Sequence, residues 1–167
     1  MIALTPRILW ASLAAGCAGL VLGSLVLTAW LDLQPCHLCI FQRLLFMLIA
    51  TLALAAAVLT GPRAHRSFGG LVLGLGGLGV GVAAYQSWLQ AQSPGSLSCV
   101  GGQPGLIERL VDWLGQQVPS LFLATGLCEE EQLVILGLSL ANWALLCFSA
   151  CLGAAAWALW RGRRAGS

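Results

Sequence analysis

The chain has 167 residues, 59% of them hydrophobic and only 8% charged, and its formal net charge is +2. A soluble domain carries about 25% charged residues, so a soluble globular domain, a nucleic-acid binder and a disordered chain are excluded, and an integral membrane protein remains. The length suits one compact unit, 1–167.

The first apolar segment, about 8–31, has no charged residue. It exceeds the ~20 residues that cross a bilayer as a helix. A cleaved signal peptide is the alternative, and Ala14-Ala15-Gly16-Cys17 hints at a lipoprotein cleavage site. The apolar run continues past Cys17 to Leu31, leaving no polar tether after such a cut. A retained helix is therefore expected.

A short loop, about 32–38, follows and carries Cys36-His37-Leu38-Cys39 at its end. A bridge within Cys-x-x-Cys closes a loop so tight that it removes little chain entropy. It is a poor structural staple and a good redox couple. The motif also sits where the second apolar segment, about 40–59, begins. A helix N-terminus favours negative charge, and Cys39, nearest the helix start, gains most as a thiolate. Arg43 is the only charge of this second helix. It lies at i+4 from Cys39 and so shares a helix face with it. A cation at that depth is costly and marks a functional site by default. Snorkelling to the outer headgroups is the bland alternative. The functional reading has Arg43 stabilising a Cys39 thiolate, or donating hydrogen bonds to an oxygen of a lipid-soluble acceptor. His37 and His65 are expected to be solvated or packed, although His37 is placed to tune the neighbouring thiols.

The third helix, about 68–89, is rich in glycine. Gly70/Gly74 and Gly77/Gly81 form small-xxx-small pairs, which predict close helix packing; a groove for a flat ligand is the alternative. A long loop, about 90–134, carries Cys99 and Cys128. Within it, residues 105–118 place Leu106, Ile107, Leu110, Val111, Trp113 and Leu114 at helical spacing. A short interfacial helix is expected there, lying on the outer leaflet or packed as a lid on the bundle. The last membrane helix is expected at about 138–160.

Arginines set the orientation. Arg7, Arg63, Arg66, Arg161, Arg163 and Arg164 fall at the N-terminus, in the 60–67 loop and in the C-terminal tail. In a four-helix chain these share one side, the cytoplasm. All six acidic residues fall in the two loops of the other side. Cys17, Cys147 and Cys151 lie within membrane helices and read as small apolar packing residues. Cys36, Cys39, Cys99 and Cys128 lie outside, where an oxidising compartment favours disulfides. Pairing by loop gives Cys36–Cys39 and Cys99–Cys128. A four-cysteine zinc site is disfavoured because 28 residues separate Cys99 from Cys128. Haem attachment fails because Ile40 follows Cys39. No metal is expected. With no flavin, haem or nucleotide motif, a quinone dissolved in the bilayer is the natural two-electron acceptor.

Pro35-Cys36-His37-Leu38-Cys39-Ile40-Phe41-Gln42-Arg43 resembles the hallmark of the DsbB family, the bacterial inner-membrane thiol:quinone oxidoreductases. The segment 118–128, ending in Gly126-Leu127-Cys128, and Tyr85-Gln86-Ser87-Trp88-Leu89-Gln90 followed by Cys99 are similar to further parts of that family. The resemblance covers about 8–160. It implies an all-α, four-helix transmembrane bundle with periplasmic cysteines and cytoplasmic termini. It further implies that Cys99 forms a mixed disulfide with a reduced periplasmic thioredoxin-fold oxidase, DsbA. Cys128 would exchange with Cys36, and Cys39 would face the quinone, ubiquinone or menaquinone, assisted by Arg43. The rivals are an enzyme of vitamin-K-epoxide-reductase type, whose Cys-x-x-Cys is expected late in the bundle, and a non-catalytic membrane scaffold stapled by two disulfides.

Overall fold

The computed structural model describes residues 6–59, 62–92, 105–128 and 133–164. Four long helices dominate: α1 (Pro6–Trp30), α2 (His37–Val58), α3 (Pro62–Gln90) and, last in the chain, α6 (Leu140–Arg164). All four are long and apolar enough to cross a membrane. The chain is thus a multi-pass, all-α membrane bundle. Proline opens α1 and α3, where its missing N–H costs nothing. Both helices start earlier than expected, and α6 runs past 160 to Arg164. The arginines that bound the apolar stretches are good helix formers, so the helix continues beyond the apolar run.

Helix α2 is the most buried of the four. It packs against α1 on one side and α3 on the other, while α3 packs against α6. Ile40, Leu45, Ile49 and Ala53 of α2 are fully enclosed. The α3–α6 contact corrects the glycine reading. A side chain at Gly70, Gly74, Gly77 or Gly81 would meet nothing within 4 Å, whereas one at Gly69, Gly76 or Gly79 would strike Leu159, Leu152 or Phe148. The packing glycines are therefore a different set, seven and three residues apart on the α6-facing side. Gly79 leaves the space that lets Phe148 stack on Phe46 at 4.0 Å between ring centroids.

The expected amphipathic helix is α4 (Leu106–Gln117), and the backbone N–H of Gly105 before it donates to Glu108 Oε2 at 2.8 Å. Val111 and Gly115 face inward, and Leu106 and Trp113 face out. Two features were not expected. A single turn, α5 (Pro119–Phe122), follows α4, packed so closely that a Cβ on Gly115 would lie 3.0 Å from the Phe122 carbonyl oxygen. A small hairpin, β1 (Val134–Ile135) and β2 (Leu138–Ser139), then leads into α6, with Val134 opposite Ser139. Its turn residues Leu136 and Gly137 both have positive φ, as primed hairpin turns require. Trp143 of α6 donates to the Ile135 carbonyl at 3.0 Å and holds the hairpin down.

Candidate redox site at the outer end of the bundle

Cys36 occupies the N-cap position of α2 with extended backbone, and its carbonyl accepts the Ile40 N–H at 3.0 Å. That geometry puts Cys39 in the first turn of the helix. Both are free thiols, and Cys36 Sγ donates to Cys39 Sγ at 3.2 Å. The preceding carbonyl, that of Pro35, accepts two backbone N–H groups, from Thr125 at 3.0 Å and Gly126 at 3.2 Å. This clamp brings the far end of the long loop onto the Cys-x-x-Cys. As a result the Cys128 thiol is hydrogen-bonded to Cys36. The three sulfurs form a chain, Cys128, Cys36, Cys39, with Cys36 in the middle.

The middle position has an electrostatic consequence. Hydrogen bonding to Cys128 and Cys39, together with burial, pushes the Cys36 thiol well up. Cys128 moves the other way. Its bond from Cys36, aided by the Leu38 backbone, holds it below the usual thiol range, against burial and the charges of Cys39 and Glu108. Cys36 is thus the proton-bearing donor and Cys128 the sulfur ready to carry charge. Cys99, the fourth outer cysteine, lies outside the described residues.

Arg43 is 7% exposed and turned into the protein rather than toward headgroups. Nε donates to Ser24 Oγ at 3.0 Å and Nη2 to Thr28 Oγ1 at 3.1 Å, both on α1, and Nη1 donates to the Leu121 carbonyl at 3.0 Å. The guanidinium therefore ties α1, α2 and α5 together. Snorkelling is not what this side chain does. His37 also serves the assembly: its Nε2 meets Asp112 Oδ1 of α4 at 3.0 Å.

Below the thiols lies a cavity of about 310 Å³ among α1, α2, α3 and α6. Cys36, Cys39, Gln42, Arg43 and Gln86 supply its polar edge, and Gly19, Gly23 and Phe46 belong to its apolar wall. An apolar space with a few convergent polar groups is what a small hydrophobic ligand needs. The donors present, a guanidinium and amides, match the carbonyl oxygens of a quinone, and the walls match its ring and tail. The glycines that shape this space are on α1, not on α3. Cys147 also lines it, whereas Cys17 and Cys151 meet in the core with sulfurs 3.6 Å apart.

Sequence reasoning assigned no role to Gln42, Gln86, Ser24 and Thr28. Gln86 is an amide just past the long apolar run of α3, and Ser24 and Thr28 are hydroxyls one turn apart. Each was a visible signal without a visible partner.

A four-helix membrane bundle with paired thiols at a helix start and a cation beneath them defines a membrane-embedded thiol–disulfide redox protein. The chain belongs to the DsbB family, described as Disulfide bond formation protein DsbB, which matches residues 6–158. It is 48% identical over 143 residues to Disulfide bond formation protein B of Dechloromonas aromatica (strain RCB), covering 86% of each chain. The protein of the same name from Azoarcus sp. (strain BH72) is 39% identical over 160 residues, 95% of this chain and 94% of the relative. That of Polaromonas naphthalenivorans (strain CJ2) is 36% identical over 144 residues, 86% and 85% respectively. A role in disulfide bond formation follows from membership.

Proposed function

We propose that the protein re-oxidises a reduced periplasmic thioredoxin-fold oxidase of DsbA type and delivers the electrons to membrane quinone, ubiquinone or menaquinone. It does so as a single membrane unit in the bacterial inner membrane, with both termini cytoplasmic and Cys36, Cys39, Cys99 and Cys128 periplasmic. The observation that carries the reading is the sulfur chain Cys128–Cys36–Cys39 ending on an apolar cavity. The arginine distribution supports the orientation.

The exchange balances as follows. A thiolate of the partner attacks Cys99 of a Cys99–Cys128 disulfide, and Cys128 leaves as thiolate. The partner's second thiol releases its own disulfide, leaving Cys99 and Cys128 reduced. Cys128 Sγ⁻ attacks Cys36 of the Cys36–Cys39 disulfide, and the electron pair departs on Cys39 Sγ. Cys99 then resolves the Cys128–Cys36 bond and restores the loop disulfide. Two electrons and two protons now reside on Cys36 and Cys39. A quinone, when bound, supplies the two-electron, two-proton acceptor. Arg43 and Cys39 bound its place: the guanidinium, held by Ser24, Thr28 and the Leu121 carbonyl, is fixed to donate toward a carbonyl oxygen. An oxidase at about −120 mV is hard to re-oxidise with an ordinary disulfide, and coupling to quinone supplies the driving force.

The test mixes the full-length protein with a reduced DsbA-type oxidase and a soluble quinone and follows both. Alanine at Cys36, Cys39, Cys99 or Cys128 should abolish coupled turnover, and alanine at Cys17, Cys147 or Cys151 should not. Full activity in Cys36→Ala or Cys128→Ala would sink the relay.

A further inference from the structure

A buried amide pair adjoins the thiols, and none of the steps above uses it. Gln86 of α3 is 2% exposed and Gln42 of α2 is 5% exposed. Both lie in membrane-crossing helices, where an amide without partners is costly. Gln42 Nε2 donates to Gln86 Oε1 at 2.8 Å. That bond occupies the Gln86 oxygen and turns its nitrogen toward the Cys-x-x-Cys. Gln86 Nε2 donates to Cys39 Sγ at 3.0 Å and reaches Cys36 Sγ at 3.6 Å. Cys39 Sγ also accepts the Cys36 thiol at 3.2 Å. The sulfur therefore faces two donors. The described hydrogen bonds of Arg43 go to Ser24, Thr28 and Leu121 instead.

We propose that Gln86 is a further catalytic residue: its amide N–H stabilises the charge that Cys39 Sγ receives when the Cys36–Cys39 bond breaks, and Gln42 positions that amide. The inference rests on the reading of Cys39 as the departing thiolate. In that step the Cys128–Cys36 bond forms, the Cys36–Cys39 bond breaks, and the electron pair stays on Cys39 Sγ with no proton transfer. A donor already aimed at the atom where charge develops needs no reorganisation at that moment. The orientation matters because an amide has two ends. With Gln86 reversed, its oxygen would face the thiolate and its NH₂ would face the NH₂ of Gln42. Gln42 therefore selects the productive orientation.

The test reads Cys39 directly, without quinone or oxidase. The reduced full-length protein in detergent is alkylated with iodoacetamide at pH 6, and each cysteine is quantified by peptide mass spectrometry. Gln86→Leu should slow Cys39 alkylation about tenfold, the loss expected for a hydrogen bond to a charged sulfur. Gln42→Leu should slow it by a smaller factor, about threefold, and should add nothing in the Gln86→Leu/Gln42→Leu double variant. Rates within twofold of wild type in Gln86→Leu, at unchanged helix content, would overturn the proposal. So would an equal Gln42→Leu effect with and without Gln86. If Gln86→Leu fails to fold, Gln42→Leu alone decides, and an unchanged Cys39 rate there overturns the proposal. Failure of the wild-type protein to reduce quinone would count against the function and leave these rates as they are.

Discussion

Cys36 lies between two sulfurs that share its single S–H, and this asymmetry predicts how the outer thiols titrate. Its hydrogen bond holds Cys128 below the ordinary thiol range. A lowered value means that in the reduced protein the Cys128 thiolate persists further down in pH than that of an ordinary thiol, and is lost as the pH falls through the lowered value. Removing the donor moves Cys128 back up. In the reduced protein, alkylation of Cys128 at pH 7 should therefore slow about tenfold in Cys36→Ala, and equal rates would show that Cys36 does not tune it. Arg43 supports a second expectation. Arg43→Met removes the charge and leaves the Leu121 carbonyl and two α1 hydroxyls without their donor. The apparent quinone KM should rise about tenfold, for one lost charge-assisted bond of about 1.5 kcal/mol. Arg43→Lys should recover part of it, and lost stability with an unchanged KM would make Arg43 purely structural. Cys36, Cys39 and Arg43 were legible in the sequence because their relation is local, three and four residues along one helix. Gln86 was not, because its partner depends on how α3 is rotated against α2. The approach of Cys128 to Cys36 was not either, since it rests on two backbone bonds to the Pro35 carbonyl that no side-chain pattern encodes.

Helix α4 ties the long loop to the thiols in two ways. Val111 is fully buried against the bundle, and Asp112 meets His37 inside the Cys-x-x-Cys. This contact is partly exposed and contributes little, about 0–1 kcal/mol, so the apolar contacts dominate. The exposed side carries Leu110 and Trp113, available to the headgroup region. Serine at both should weaken coupled turnover with a DsbA-type oxidase while quinone reduction driven by a small dithiol survives. Normal coupled turnover in that double variant would leave α4 a spacer. The four long helices were legible as long, nearly uncharged apolar runs, and α4 because it displays its period over three turns. The α3–α6 seam was misread because small residues recur on two faces of α3, and only the space that Leu159, Leu152 and Phe148 occupy distinguishes them. The hairpin at 134–139 is two residues per strand, too short for alternation to register.

On the scale of the whole molecule, direction comes from where the cavity lies. The thiols Cys36 and Cys39 lie at the outer end of the bundle, and the cavity they line is also lined by Gly19, Gly23, Ser24 and Thr28 of α1. Under the proposed function, thiols from water and an acceptor from lipid would reach this sulfur pair by separate routes. The α1 wall is kept low by Gly19 and Gly23, where a side chain would meet nothing within 4 Å. Leucine at position 23 would therefore grow into the cavity with no clash at its Cβ. Gly16 is also free of neighbours within 4 Å but does not line the cavity, so Gly16→Leu controls for added bulk on α1. Gly23→Leu should raise the apparent quinone KM about tenfold, as expected for about 1.4 kcal/mol of lost binding, and Gly16→Leu should not. Single-turnover exchange between the loop dithiol and Cys36–Cys39, measured without quinone, should be the same in both variants. An unchanged KM in Gly23→Leu, or equal effects of the two substitutions, would mean that the acceptor does not enter along α1.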